Sequence, residues 1–557
     1  MIDLEKNATT TRLSRRRLLL SGLAATSLGH PFLRLNAQPA SRELFTLGVA
    51  SGVPGSDGFV LWTRLAPEPL QGGGMGDAPV DLRWEVADDE GFRRVVAKGT
   101  AIATAEFAHS VHVEVRGLSP GRWYWYRFTA GGARSPAGRT RTAPAENDES
   151  SQPLRFAFAS CQHYEQGYFA AYRDMAAQPL DFVVHLGDYI YESSHKARQV
   201  RRHEGGIPTQ LAQFRDRYAL YKADAQLQAA HAAFPWLVTW DDHEVANDYT
   251  NDVSTRTADP AQFLAIRAAA YQAWYEHMPV PAGMRPRGAD ATIYGRHRFG
   301  RMLDLLLTDG RQYRSHHVCL TGRSASPLAD CPDRLAPERS LFGAQQEAWL
   351  ARELAAPPAR WTVVAQPTLL AEADRKRGPE HGYWMDGWDG YAAARARLLD
   401  ALAEHKARGG NARVASGDVH AFWAADLRQG DAQQGPLVAT EFVGGAITSE
   451  GPSAASVANM LAKNPQLRYG RADRRGYALA TLDARGCSVE FRAVEDEKTA
   501  DSPVGTMARF SVERGAPGVH LESSWNLARL QGRAVVPMMA AAPSHPSPSL
   551  PSENRTP

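Results

Sequence analysis

The sequence predicts an α/β layered domain, with central β-sheets flanked by helices, preceded by a small β-sandwich. Three observations predict it. Residues 42 to about 145 alternate apolar and polar positions at period two, the chain after Pro153 alternates short apolar runs with long amphipathic segments, and helical periodicity is missing before that switch. A chain of 557 residues has room for two to four domains, at roughly 150 residues each. Its 43% hydrophobic and 22% charged residues are ordinary globular composition, and Lys+Arg 63 against Asp+Glu 61 leaves +2. That balance supplies no basic field for a nucleic acid. The mixed patterning excludes a coiled coil, and no internal repeat is present.

The sandwich rests on strand candidates 58–63, 80–86 and 110–115. Leu118-Ser119-Pro120-Gly121 followed by Trp123-Tyr124 resembles the corner of an Ig/fibronectin III-like domain, where a Tyr hydroxyl bonds back to the backbone, so Tyr124 is read as structural. The acidic, Pro-containing stretch 142–153 reads as a linker. Beyond it, strand candidates 154–160, 180–186, 236–240, 302–307, 361–365 and 412–415 alternate with helix candidates 210–234, 261–277, 344–354 and 391–405. Helices covering a central sheet follow from that order. From Val419 the chain turns β-rich again, including 477–482 and 487–491, and from about Ala541 the Pro- and Ser-rich end is expected to be disordered. The expected divisions are a leader at 1–40, an N-terminal domain at 41–146, an α/β domain at 147–525 and a tail at 526–557.

The slight basicity belongs to the leader, where six Lys/Arg stand against Asp3 and Glu5. Ser14-Arg15-Arg16-Arg17-Leu18-Leu19-Leu20, with the mild apolar run to Leu28, looks like a twin-arginine export signal. That run is too short to span a membrane, and no later segment reaches about 18 consecutive apolar residues. The expectation is a soluble protein, periplasmic or extracellular, exported by the twin-arginine machinery after loading a cofactor or metal. Cys319 and Cys331 flank a short Gly-, Ser- and Pro-containing loop, which in an exported chain favours a local disulfide over two free thiols.

The chemistry collects where strands end. Phe156-Ala157-Phe158-Ala159-Ser160 runs into Cys161; Phe182 to Leu186 runs into Gly187-Asp188, with Tyr191 just beyond; Leu237 to Trp240 runs into Asp241-Asp242-His243-Glu244. Val363-Val364-Ala365 runs into Gln366, and Val414-Ala415-Ser416 into Gly417-Asp418-Val419-His420. One Gly-Asp after a strand is usually a turn, and one buried His a satisfied core group. Five strand ends bearing thiol, phenol, carboxylates and imidazole are a different matter, because ligands gather at the carboxyl ends of strands in layered α/β proteins.

Gly187-Asp188-Tyr189-Ile190-Tyr191 resembles the Gly-Asp-x-x-Tyr block of the calcineurin-like and purple acid phosphatase metallophosphoesterases. Cys161 stands where that superfamily has Asp, Asp242 where it has Asn, Gln366 where it has His, and Asp418 where it has the first His of Gly-His-x-His. With the Thr308 to Arg314 block, the Ig-like segment and the leader, those departures resemble the PhoD-like family, known as alkaline phosphatase D. The resemblance implies one metal held by Cys161, Asp188, Tyr191 and His420, and a second held by Asp188, Asp242 and Asp418, with Gln366 as a further ligand. It implies iron(III) and calcium; the donors alone also admit zinc or manganese.

On this reading the protein hydrolyses phosphate monoesters, and phosphodiesters as a second class, by attack of a metal-activated hydroxide. His243 is expected to donate a proton to the leaving group, the alternative being a support for Asp242 or Asp241. Arg311, with Tyr313 beside it, is expected to grip a phosphate oxygen, although a structural pair with Asp309 would look the same in sequence. The aromatic run 383–391 is either a wall of the cleft or a packed loop, and Arg198, Arg201 and Arg202 either attract an anionic polymer or are solvated surface. The competing functions are a phospholipase D-like phosphodiesterase for phospholipids or wall polymers, and a non-catalytic cell-surface binding protein. Intact Cys161, Asp188, Tyr191, Asp242, His243, Asp418 and His420 speak against the last.

Overall fold

A computed structural model describes residues 43–149, 152–195, 199–320 and 328–525. The leader, Arg198 and the tail at 526–557 lie outside these residues. Two large sheets form the centre. In the first, three parallel strands, Leu154–Ala159, Phe182–Leu186 and Pro235–Thr239, lie side by side. Gly476–Leu482 and three further antiparallel strands extend it on one side and three N-terminal strands on the other, so that it has ten strands in all. The second has seven strands, four of them parallel: Leu303–Leu307, Trp361–Ala365, Ala412–Ser416 and Leu437–Gly444.

Period-two alternation explains how the sheets stack. Leu154, Phe156 and Phe158 point into the core between the sheets, where they meet Leu305, Val363 and Phe442, while Ala157 and Ala159 face the outer helices. Leu211–Lys222 and Pro260–His277 cover the outer face of the first sheet; Gly343–Ala355 and Ala392–Ala407 cover the second. The result is a four-layer arrangement of helix, sheet, sheet and helix. The helix expected over 210–234 is in fact two, Leu211–Lys222 and Ala225–Ala233. Asp224 starts the second by accepting from the Gln226 and Leu227 N–H groups at 2.9 and 3.1 Å. Both helices bury apolar residues in one core, so the periodicity runs on across the break.

The N-terminal strands are not a free-standing unit. Val49–Gly52 pairs in parallel with Pro235–Thr239, and Phe59–Arg64 and Ser110–Val115 continue the ten-stranded sheet beyond it. The second layer of the sandwich is Val95–Ala103, Val80–Ala87 and Trp123–Ala130, with Gly138–Arg141 alongside. Residues such as Leu61, Val113, Leu82 and Tyr126 fill the space between the layers. A sandwich is present as the alternation predicts, yet one of its sheets crosses the expected boundary at 146. Sequence period shows that a strand exists, not which edge it will cover. Tyr124 is buried, and its hydroxyl accepts from the Ser119 N–H at 3.1 Å and donates to the Ser119 carbonyl at 3.2 Å.

Cys319 and Cys331 are joined by a disulfide, with Cα atoms 6.1 Å apart. No described helix is long and apolar enough to cross a membrane.

Candidate metal centre

The strand ends are tied to each other before any side chain acts. The Cys161 N–H donates to the Gly187 carbonyl at 3.2 Å, and the Gln162 N–H to the Asp188 carbonyl at 3.1 Å. Gly187 has a φ of +104°, and a Cβ there would sit 2.5 Å from the Asp241 Cβ, so only glycine lets the second and third strand ends approach. Cys161, Asp188, Asp418 and His420 all adopt left-handed backbone, with φ of 60, 57, 62 and 50°. Such conformations are sparse for residues with a side chain and cluster at functional sites.

Two groups of donors result. Cys161, Asp188 and His420 place ligand atoms within 4.8 Å of one another, as do Asp188, Asp242 and His243. Asp188 belongs to both. The Tyr191 hydroxyl donates to Asp188 Oδ2 at 2.8 Å and lies 3.1 Å from His420 Nε2, so the phenol joins the first group. The Glu450 carbonyl, 2.8 Å from His420 Nδ1, accepts that nitrogen's proton and turns the Nε2 lone pair toward the cluster. The donor set fits metal ions. Burial, then the neighbouring carboxylates Asp242, Asp241 and Glu244, push Asp188 well above the carboxylate range, with His243 pulling the other way. Burial likewise pushes the Cys161 thiol up, and Asp242 Oδ1 is buried without a hydrogen-bond partner among the described residues. Acidic groups crowded out of water in this way are stabilised by positive charge.

The remaining expected residues divide. Asp418 lies outside both groups, its carboxylate accepting from the Thr368 hydroxyl. His243 is held through Nδ1 by Glu192 Oε2 at 2.6 Å and stacks on Tyr191 with ring centroids 4.0 Å apart. Burial opposes its charge, but Asp242, Glu192 and Asp188 together raise it well above the ordinary imidazole range.

Gln366 is not open to a metal. Its amide oxygen accepts from the Thr368 N–H at 3.2 Å and the Trp388 indole at 3.1 Å, and its NH₂ donates to the Thr368 carbonyl and the Ser416 hydroxyl. Arg311 is not open to phosphate either. Its fully buried guanidinium forks onto both oxygens of Asp386 at 2.8 Å and donates through Nε to Asp241. Asp309 instead accepts from the Arg311 backbone N–H at 2.9 Å, so the side-chain partner is neither phosphate nor Asp309. Tyr313 bonds to the Ala291 carbonyl at 2.9 Å and lines a separate pocket of about 300 Å³ with Arg267 and Gln312. Arg201 is spent on Asp224 and two carbonyls, stacked over Tyr164, and forms no open patch. The 383–391 run is a packed loop, its Asp386 and Trp388 buried.

Sequence reasoning missed the residues that aim the others. Glu244 accepts from the Asp188, Tyr189 and Asp241 N–H groups, fixing two strand ends with one carboxylate. Ser449 accepts from the His163 N–H, and its hydroxyl lies 2.8 Å from the Cys161 carbonyl and 2.7 Å from the Tyr191 hydroxyl, with one proton to share between them. Glu244 carried a signal, since it closes the Asp-Asp-His-Glu run; Glu192, Thr368 and Ser449 stand in no motif.

Comparison with known proteins agrees with this geometry. The family model described as PhoD-like phosphatase matches residues 156–491, and that of the PhoD-like phosphatase N-terminal domain matches 32–144. Alkaline phosphatase D of Bacillus subtilis (strain 168) is 42% identical over 500 residues, 88% of this chain and 84% of that protein. A solved structure of PhoD superposes with a TM-score of 0.83 at 41% identity, covering 88% of this chain and 94% of that one. A purple acid phosphatase from yellow lupin seeds (Lupinus luteus) shares the fold, with a TM-score of 0.52 at 12% identity over 84% of this chain and 74% of its own.

Proposed function

The chain belongs to the PhoD-like phosphatase family and is a phosphoric ester hydrolase; from that premise we propose that Cys161, Asp188, Tyr191 and His420 hold one metal ion, and Asp188, Asp242 and Asp418 a second. The observation that carries the proposal is the sharing of Asp188 between the group of Cys161 and His420 and the group of Asp242 and His243; Asp418, whose carboxylate lies outside both groups, is assigned to the second ion on the family resemblance. When bound, such a pair supplies a water of lowered pKa as nucleophile and positive charge at the phosphate. The protein's own residues do the rest. Glu192 fixes the imidazole of His243 through Nδ1, leaving Nε2 to give its proton to the departing oxygen. Glu244 holds Asp188 and Asp241 in place from behind.

We propose phosphate monoesters as the principal substrates, in line with the name of the Bacillus relative. Thiolate, phenolate and imidazole suit a redox-capable ion such as iron(III), and the carboxylates suit calcium. Metal analysis of the folded protein, alongside turnover of a mono- and a diester, tests both statements. If Tyr191 binds iron(III), the protein absorbs visible light and Tyr191→Phe abolishes or shifts the band. A colourless, fully active zinc protein sinks the iron assignment and leaves the hydrolase standing. Export through the twin-arginine machinery is supported by Arg15-Arg16 and by the Cys319–Cys331 disulfide, a bond of oxidising compartments. Cell fractionation of an Arg15→Lys, Arg16→Lys double variant should show the protein retained inside; unchanged export would end that proposal.

A further inference from the structure

The loop leading into the aromatic run carries an arginine that the protein leaves unsatisfied. Arg375 makes no ion pair or hydrogen bond through its guanidinium among the described residues, and its Nε is buried without a partner. The nearby carboxylates are all taken. Asp386 belongs to Arg311, Arg314 and His317, Asp389 to Arg395 and the Ala373 N–H, and Asp418 to Thr368. Asp389, Asp418 and Asp386 act on Arg375 only through their fields, and burial, the larger influence, lowers its proton affinity.

The mount of this side chain is, by contrast, fully built. Asp374 accepts from the Lys376 and Gly382 N–H groups at 3.1 and 3.0 Å, and from His381 and Lys463 at 2.8 and 2.6 Å. Lys463 also donates to the carbonyls of Lys376, Gly378 and Glu380, closing the loop on the helix Ala454–Lys463. The Arg375 N–H donates to the Gly382 carbonyl at 2.9 Å, and its carbonyl accepts from Asn459 at 3.2 Å. The guanidinium rests over the Trp384 ring, 4.5 Å from its centroid. A neighbourhood that spends so many bonds holding the stem and none on the head is arranged to present the head to something else.

Resting on the phosphoesterase reading above, we propose that Arg375 is the substrate-binding arginine of the site, its guanidinium donating to non-bridging oxygens of the phosphate ester. An anion with two oxygens matches the planar fork of donors. This is the role the sequence assigned to Arg311, which the fold uses up in holding Asp386 and Asp241.

The test compares wild type, Arg375→Gln and Arg375→Lys as metal-loaded proteins. It measures metal content, thermal stability, inorganic phosphate binding by calorimetry, and KM and kcat for an aryl phosphate monoester. Arg375→Gln should keep its metals and fold, and weaken phosphate binding and raise KM by about tenfold to a hundredfold, as loss of one charge-assisted contact implies. Arg375→Lys, a point charge without the fork, should recover part of that loss. Phosphate affinity and KM within twofold of wild type in both variants would overturn the proposal, as would losses that track metal content or melting temperature. A wild-type protein that binds metal and phosphate yet turns over no ester would instead overturn the phosphoesterase reading.

Discussion

The carboxyl ends of the two central sheets differ in what their side chains have left to give. In the ten-stranded sheet, Cys161, Asp188 and Asp242 emerge with donor atoms that are only partly engaged: among the described residues Asp242 Oδ1 has no hydrogen bond and only an ion pair with Arg311 at 3.7 Å, and Asp188 joins two donor groups at once. In the seven-stranded sheet the same positions are mostly closed. Gln366 has both ends of its amide engaged, and Arg311 is forked onto Asp386. Both sets sit at strand ends, and both are buried. Convergence therefore comes from topology, whereas availability comes from the count of hydrogen bonds already made.

The largest test of that contrast is Asp188→Asn. Size is kept and the shared charge removed, so metal should be lost and turnover should fall by roughly 10³ or more. Turnover within about tenfold of wild type would make Asp188 a turn residue. His243→Ala should retain most metal and lower turnover of an alkyl phosphate by roughly 10² to 10⁴, with a smaller fall for an ester whose leaving group departs as a stable anion. Equal losses for both esters would move His243 into coordination. On the closed side, Arg311→Met leaves Asp241 buried without its cation and Asp386 with only Arg314 and His317, and should cost about 3–5 kcal/mol in denaturant unfolding. A variant of native stability with weakened phosphate binding would return Arg311 to the substrate. The smallest effect is expected of Gln366→Leu, about 1–3 kcal/mol of stability with metal content unchanged; metal loss without destabilisation would reopen Gln366 as a ligand.

The strands and the donors at their ends were legible because both are written locally, as apolar runs followed by Cys161, Gly187-Asp188, Asp241-Asp242-His243 or Gly417-Asp418. What escaped was pairing over distance. Arg311 and Asp386 are 75 residues apart, and nothing near Arg311 announces its partner. The sheet edge that Val49–Gly52 covers is a choice of the same kind, made by a strand nearly 190 residues away in sequence from the one it pairs with. Arg375 escaped because its meaning is a missing bond, visible only once every neighbouring carboxylate is accounted for.

The left-handed backbone at Cys161, Asp188, Asp418 and His420 shapes how a lineage can change this site. Asp and His tolerate that conformation better than most residues, and Asn shares the tolerance. An Asp-to-Asn exchange at 418 therefore alters the charge beside the centre by one unit with little conformational cost, and ion preference can drift by such a step on an unchanged chain path, whereas the same exchange at the shared Asp188 spares the backbone and loses the metal. Cys161 is the opposite case. Replacing it by Asp or Asn would relieve the backbone while trading a soft donor for a hard one. The mutational slope at that position runs away from sulfur, so a descendant that keeps the cysteine is held there by selection on the thiol itself.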